Sequence, residues 1–157
     1  MRKLLFVVPL LPTLFACQWT ADPFYPQIPD MGFESVGNIG SWLKHNIEYV
    51  DDDSGQYVQS PLETYEWRTG DCEDFAILMM YFIHTELGGL PDFIAGTAYG
   101  YGHAWVSYEE FYYESQDGID VTNNADYKVI EVINYYEIMY HADVAHKSLI
   151  RNNSIYP

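Results

Sequence analysis

Gly70-Asp71-Cys72-Glu73-Asp74-Phe75-Ala76-Ile77-Leu78-Met79-Met80-Tyr81-Phe82-Ile83-His84-Thr85-Glu86-Leu87-Gly88-Gly89 carries a fold signal and a chemical one in a single stretch. Phe75, Leu78, Met79, Phe82 and Ile83 recur at three- and four-residue spacing, which predicts an α-helix with one buried face. The break at Thr69-Gly70-Asp71 starts that helix at Asp71 or Cys72, and Gly88-Gly89 stops it after Leu87. Cys72 shares a stripe with Ala76 and Met79 or Met80, so its thiol is expected in the first turn, facing inward. Asp71 and Asp74 read as helix-start electrostatics rather than catalytic acids.

Elements on either side follow from the same rules. Upstream, Val36, Ile39, Trp42, Leu43, Ile47 and Val50 outline another amphipathic helix, ended by the acidic turn Asp51-Asp52-Asp53-Ser54-Gly55. That run lacks the alternating ligand pattern of a calcium loop and reads as a solvated loop. Ser60-Pro61-Leu62-Glu63 has the order of a capping box with proline at the first helical position. Downstream the character changes to strands at 93–99, 103–108, 111–115 and 128–133, followed by a short helix from Tyr135 to His141. Helices followed by an antiparallel meander predict an α+β domain, its central helix packed on an antiparallel sheet.

The termini and totals narrow the function. Arg2-Lys3 followed by an apolar run from Leu4 to Phe15 is a short export signal, too short for a permanent membrane span. Leu14-Phe15-Ala16-Cys17 resembles a bacterial lipobox. The expected organisation is therefore a lipoprotein signal at 1–16, a lipidated Cys17 with a Pro-rich tether at 17–34, and one domain at 35–157. The protein would then be exported and lipid-anchored in the bacterial cell envelope, touching the membrane through Cys17. The chain has two cysteines, so the mature domain keeps one thiol, Cys72, and no internal disulfide. Without the signal there remain five basic residues against 23 acidic ones, a net charge near −18. Such a surface repels phosphate-bearing partners, which excludes nucleic acid, and it tolerates basic ones. A monomer is expected. With the one thiol at the nucleophile position and His84 lacking a ligand-spaced partner, neither a metal site nor a cofactor is expected.

A thiol attacks as a thiolate, and a helix N-terminus or a neighbouring imidazolium lowers its pKa. Cys72 has the first by position. His103, delivered by a later strand with Gly100 and Gly102 relieving crowding before it, would supply the second. If Glu109-Glu110 is a two-residue hairpin turn, Trp105 lies opposite Glu114 and His103 opposite Gln116, on one face of the sheet. Either residue, or Asp117 or Asp120 after a longer turn, could orient the imidazole; Glu114 is preferred. Trp67 and Trp105 read as core.

Gly70-Asp71-Cys72-Glu73-Asp74-Phe75-Ala76 resembles the nucleophile motif of transglutaminase-like domains, and Gly102-His103-Ala104-Trp105-Val106 resembles their histidine strand. Ile47-Glu48-Tyr49 and Pro61-Leu62-Glu63-Thr64 are similar to segments that precede the motif there. The resemblance covers Val36 to Gln116 and implies a papain-like or transglutaminase-like core, with Cys72 as nucleophile, His103 as base and an acid third. It implies a cysteine peptidase or amidase acting through a thioester on protein or peptide substrates of the envelope. A protein-glutamine acyl transferase and a catalytically silent binding domain are the alternatives. The family's third residue is usually an aspartate, whereas this chain has Glu114 in that segment.

Overall fold

The computed structural model describes residues 28–51 and 57–151. The lipobox and signal lie outside the described residues, as does most of the 51–55 loop. Ten elements follow in order: α1 (Val36–Asn46), β1 (Glu48–Tyr49), α2 (Pro61–Trp67), β2 (Thr69–Gly70), α3 (Cys72–Leu87), β3 (Asp92–Ala98), β4 (Tyr101–Tyr108), β5 (Phe111–Tyr113), β6 (Tyr127–Asn134) and α4 (Tyr135–Arg151).

Local chemistry accounts for the helix ends. Ser60 and Glu63 form the expected capping box on α2 with Pro61 in its first turn. Asp71 and Asp74 form a second box on α3. Gly88 takes the left-handed conformation at the C-terminus of α3, φ 71°, where a side chain would be strained. Its 16 residues bury Phe75 to Met80, Phe82 and Ile83, too much apolar surface for a one-faced helix. α3 is therefore surrounded: by α1 and α2 on one side and by the sheet on the other.

The main sheet has the order β5-β4-β3-β6 and is antiparallel throughout. β3, β4 and β5 make the expected meander, but β6 pairs with β3 on the far side rather than continuing next to β5. Residues 114–126 carry the chain across, and no local pattern encodes that return. Tyr99 and Gly100, both at positive φ, make the tight β3–β4 turn. Gly102 has open space where a Cβ would stand, so crowding before His103 is not its reason. β1 and β2 form a small parallel pair, Tyr49 opposite Gly70, too short to read from sequence.

Phe93, Ala104 and Val106 share one buried cluster with the α3 side chains. Residues 28–34, assigned to the tether, lie against the domain: Ile28 joins that cluster, and the Met31 and Phe33 amides donate to Glu86 at 2.7 and 2.9 Å. α4 outruns the short helix expected at 135–141. No helix among the described residues is long and apolar enough to cross a membrane.

Candidate active site

Cys72 is the first residue of α3, partly buried and packed against the core. Asp71 caps the helix, its carboxylate accepting from the amides of Glu73 at 3.1 Å and Asp74 at 3.4 Å. Asp74 returns the bond to the Asp71 amide at 3.2 Å and also accepts from the Gln59 amide at 2.8 Å. Burial pushes the Asp74 carboxyl up to about 7, despite those amides. Both aspartates thus serve the helix start, as expected.

The thiol itself departs from expectation. Its pKa is pushed up to about 12, first by burial and then by the Glu73 carboxylate, which accepts its hydrogen bond at 3.4 Å. The Ala104 amide bonds the sulfur and pulls the other way, and Asp71 adds a smaller upward push. The helix N-terminus is therefore outweighed, and the resting group is a protonated thiol. Ala104 follows His103 directly, so the sulfur lies alongside the histidine strand.

On that strand, His103 Nε2 meets Glu114 Oε2 at 2.8 Å, both side chains about 15% exposed. A carboxylate partner makes Nε2 the donor. The β4–β5 register, Val106 opposite Tyr113 with Glu109-Glu110 as the turn, brings Glu114 level with Trp105. Trp105, fully buried, stacks on the imidazole with ring centres 6.0 Å apart. Tyr127 donates to the same Glu114 oxygen at 2.6 Å, and the Gln116 amide to the other at 3.3 Å. Burial raises the Glu114 carboxyl, but the bonds from His103 and Tyr127 outweigh it, and the group sits below the ordinary range.

Of the four residues considered for the third position, only Glu114 is placed on the imidazole. Gln116 meets Glu114 through its backbone amide and lines a neighbouring cavity. Asp117 pairs with Lys44 at 3.5 Å, and Asp120, exposed, accepts from the Thr122 amide at 2.8 Å. Cys72 and His103 share no hydrogen bond: the thiol's goes to Glu73 and the imidazole's to Glu114. Tyr127 and Glu73 escaped the sequence reading. Tyr127 reaches Glu114 only because β6 pairs with β3, Ala98 opposite Tyr127. Glu73 was legible as a charge next to the thiol. His84 bonds the Gly89 carbonyl at 2.8 Å and lies tilted against Tyr135, ring centres 4.3 Å apart, a structural role. Asp71, Cys72 and Glu73 each present a ligand atom within 4.8 Å of the others.

The transglutaminase-like superfamily model matches residues 26–118, more than half of the chain. No curated protein sequence matches. Among solved structures, Legionella pneumophila LapG superposes with a TM-score of 0.54 at 22% identity, covering 63% of each chain. Its calcium-bound form gives 0.55 at the same identity and coverage. A putative cysteine protease from Cytophaga hutchinsonii gives 0.43 at 19% identity, covering 63% of this chain and 41% of that one. The matched region thus spans less than two thirds of LapG, and the likeness to LapG is one of fold. With the mixed helix and antiparallel-sheet core and the family match in agreement, the chain belongs to the transglutaminase-like superfamily.

Proposed function

We propose that this protein is a cysteine-nucleophile hydrolase, a peptidase or amidase that works through a thioester on protein or peptide substrates. The observation carrying this reading is the 2.8 Å His103–Glu114 pair on the strand whose next amide bonds the Cys72 sulfur. A histidine oriented through one nitrogen by a carboxylate, beside a thiol at a helix start, is the arrangement acyl transfer needs.

Because the resting thiol is protonated, His103 acts as general base during attack rather than as partner of a standing thiolate. Its Nε2–H stays on Glu114, so Nδ1 takes the thiol proton as sulfur bonds the carboxamide carbon. Glu114 stabilises the imidazolium that forms. The same proton then passes to the departing amine, leaving the acyl group on sulfur. The Cys72 amide, at the start of α3, is an oxyanion donor. Water resolves the thioester, His103 again accepting the proton.

A divalent cation fits this reading. Legionella pneumophila LapG has been solved in a calcium-bound form, and here Asp71 and Glu73 would supply hard carboxylate ligands beside the thiol. Bound there, such an ion would offset the charges that oppose thiolate formation.

Alkylation of Cys72 by iodoacetamide across pH, in the wild type and in His103→Ala, tests the pairing. The wild type is expected to label at least about tenfold faster than the variant near pH 7. Equal rates following an ordinary thiol curve would leave a binding domain as the better reading. Ammonia release that requires an added amine would replace hydrolysis with acyl transfer to amines.

A further inference from the structure

Between the end of α1, β1, the first turn of α3 and the loop after β5 lies an open cavity of about 300 Å³. Lys44, Ile47, Tyr49, Phe75, Gln116 and Asp117 line it. Its position is fixed relative to the chemistry from three directions. Phe75 lies one turn along α3 from Cys72, and Tyr49 pairs with Gly70, two residues before it. Gln116 donates its amide to Glu114, the carboxylate that holds His103.

The lining indicates what enters. Ile47 and Phe75 are nearly inaccessible, and the Tyr49 ring lies 6.4 Å from that of Phe75. These three make an apolar and aromatic floor. Lys44 and Asp117 neutralise each other at 3.5 Å, with Lys44 more than half exposed, so the rim leaves no single charge to select a charged group. The Tyr49 phenol keeps its proton at neutral pH, raised to about 12 by burial and then by Cys72 and nearby carboxylates. It therefore offers a donor rather than an anion at that wall. The wall formed by the 116–118 loop is held tightly, because a Cβ at Gly40 would lie 2.3 Å from the Gly118 backbone. The lining is thus divided, an apolar and aromatic floor against a polar rim of Lys44, Gln116 and Asp117, and such floors with a few polar groups around them are how small binding sites are built.

We propose that this cavity is the substrate subsite that takes an apolar side chain, aromatic or long aliphatic, flanking the scissile amide. The inference rests on Cys72 being the nucleophile. A ring or a leucine-sized chain enters the space with room to spare and covers the floor, whereas an alanine leaves the floor uncovered.

Two pairs of electrophiles test it, one for each side of the amide. N-acetyl-alanyl and N-acetyl-phenylalanyl chloromethyl ketones probe the acyl side. N-methyl and N-benzyl iodoacetamide probe the amine side. Second-order labelling of Cys72 is measured in the wild type, in Gln116→Trp, which fills the cavity from its partly exposed edge, and in Ile47→Val, a mild deletion from the floor. In the wild type, the aromatic member of at least one pair is expected to react about 10- to 100-fold faster than its small counterpart. That ratio is expected to collapse towards one in Gln116→Trp and to fall severalfold in Ile47→Val. Ratios near one in both pairs, or a ratio unmoved by both variants, would overturn the subsite while leaving the nucleophile intact. A wild type that labels with neither these probes nor iodoacetamide would overturn both readings.

Discussion

Glu73→Gln is the substitution whose outcome the geometry fixes most sharply. It keeps the side chain's size and removes the carboxylate that accepts the Cys72 hydrogen bond at 3.4 Å. A full charge at that separation in an effective dielectric near 20 corresponds to about 5 kcal/mol against the thiolate, an upper bound for a side chain that is only partly buried. Screening and the freedom of Glu73 to swing outward reduce this, and a fall in the thiol pKa of roughly one to two pH units is expected. Burial, the largest cause of the rise to about 12, is unaffected, so the thiol stays above its ordinary value. At pH 8 the thiolate fraction then rises about 10- to 100-fold. A less basic thiolate is also a weaker nucleophile, with a Brønsted coefficient of about 0.4–0.5, so the alkylation rate rises about 3- to 10-fold. The assay is iodoacetamide incorporation at Cys72 by peptide mass mapping, with chelator present to remove divalent cations. A variant that labels at or below the wild-type rate would refute the account of why the resting thiol is protonated.

Other consequences can be checked alongside. Glu114→Gln keeps the shape but loses the charge that orients His103, and acyl transfer is expected to fall about 10²-fold or more while near-ultraviolet circular dichroism stays native. Calcium is expected to raise the wild-type labelling rate and EGTA to lower it; Asp71→Asn with Glu73→Gln removes that difference. Buried Asp74, its folded pKa raised to about 7, favours the protonated state, so its contribution is most favourable below about pH 4 and is lost as pH rises through 7. Glu114 works oppositely, its depressed pKa giving stability above the ordinary carboxyl range that is lost on acidification below it. Melting temperatures at pH 5 and 8 are expected to show a decline towards pH 8 that narrows in Asp74→Asn. Gly40→Ala forces α1 away from Gly118 and is expected to cost about 1–3 kcal/mol in urea unfolding.

Much of this was legible in the sequence where a local rule governed. Ser60, Asp71 and Gly88 mark helix ends through their own backbone chemistry, and the apolar spacing along α3 reports its burial directly. The Glu109-Glu110 turn fixed the register that carried Glu114 to His103, because a two-residue hairpin leaves no freedom in cross-strand pairing. What was not legible depends on distant pairing or on competition between fields. The return of β6 to β3 brings Tyr127 onto Glu114 from 13 residues away, and no periodicity announces it. The Pro-rich stretch from Gln18 to Pro29 makes the chain up to residue 34 read as a tether, yet Glu86 on α3 gathers the Met31 and Phe33 amides. The thiol shows the competition: a helix start lowers its pKa, but burial and an adjacent carboxylate together exceed that effect. Their balance requires knowing which way the Glu73 side chain points.

In the proposed mechanism, Cys72 forms an acyl-enzyme with the help of His103. The most direct test treats the protein with p-nitrophenyl acetate, quenches in acid and maps the acetyl group by mass spectrometry. One acetyl group is expected on Cys72 in the wild type, none at that position in Cys72→Ala, and formation at least about tenfold slower in His103→Ala. Acetylation confined to lysine or tyrosine, or formation on Cys72 that is equally fast without the imidazole, would contradict it.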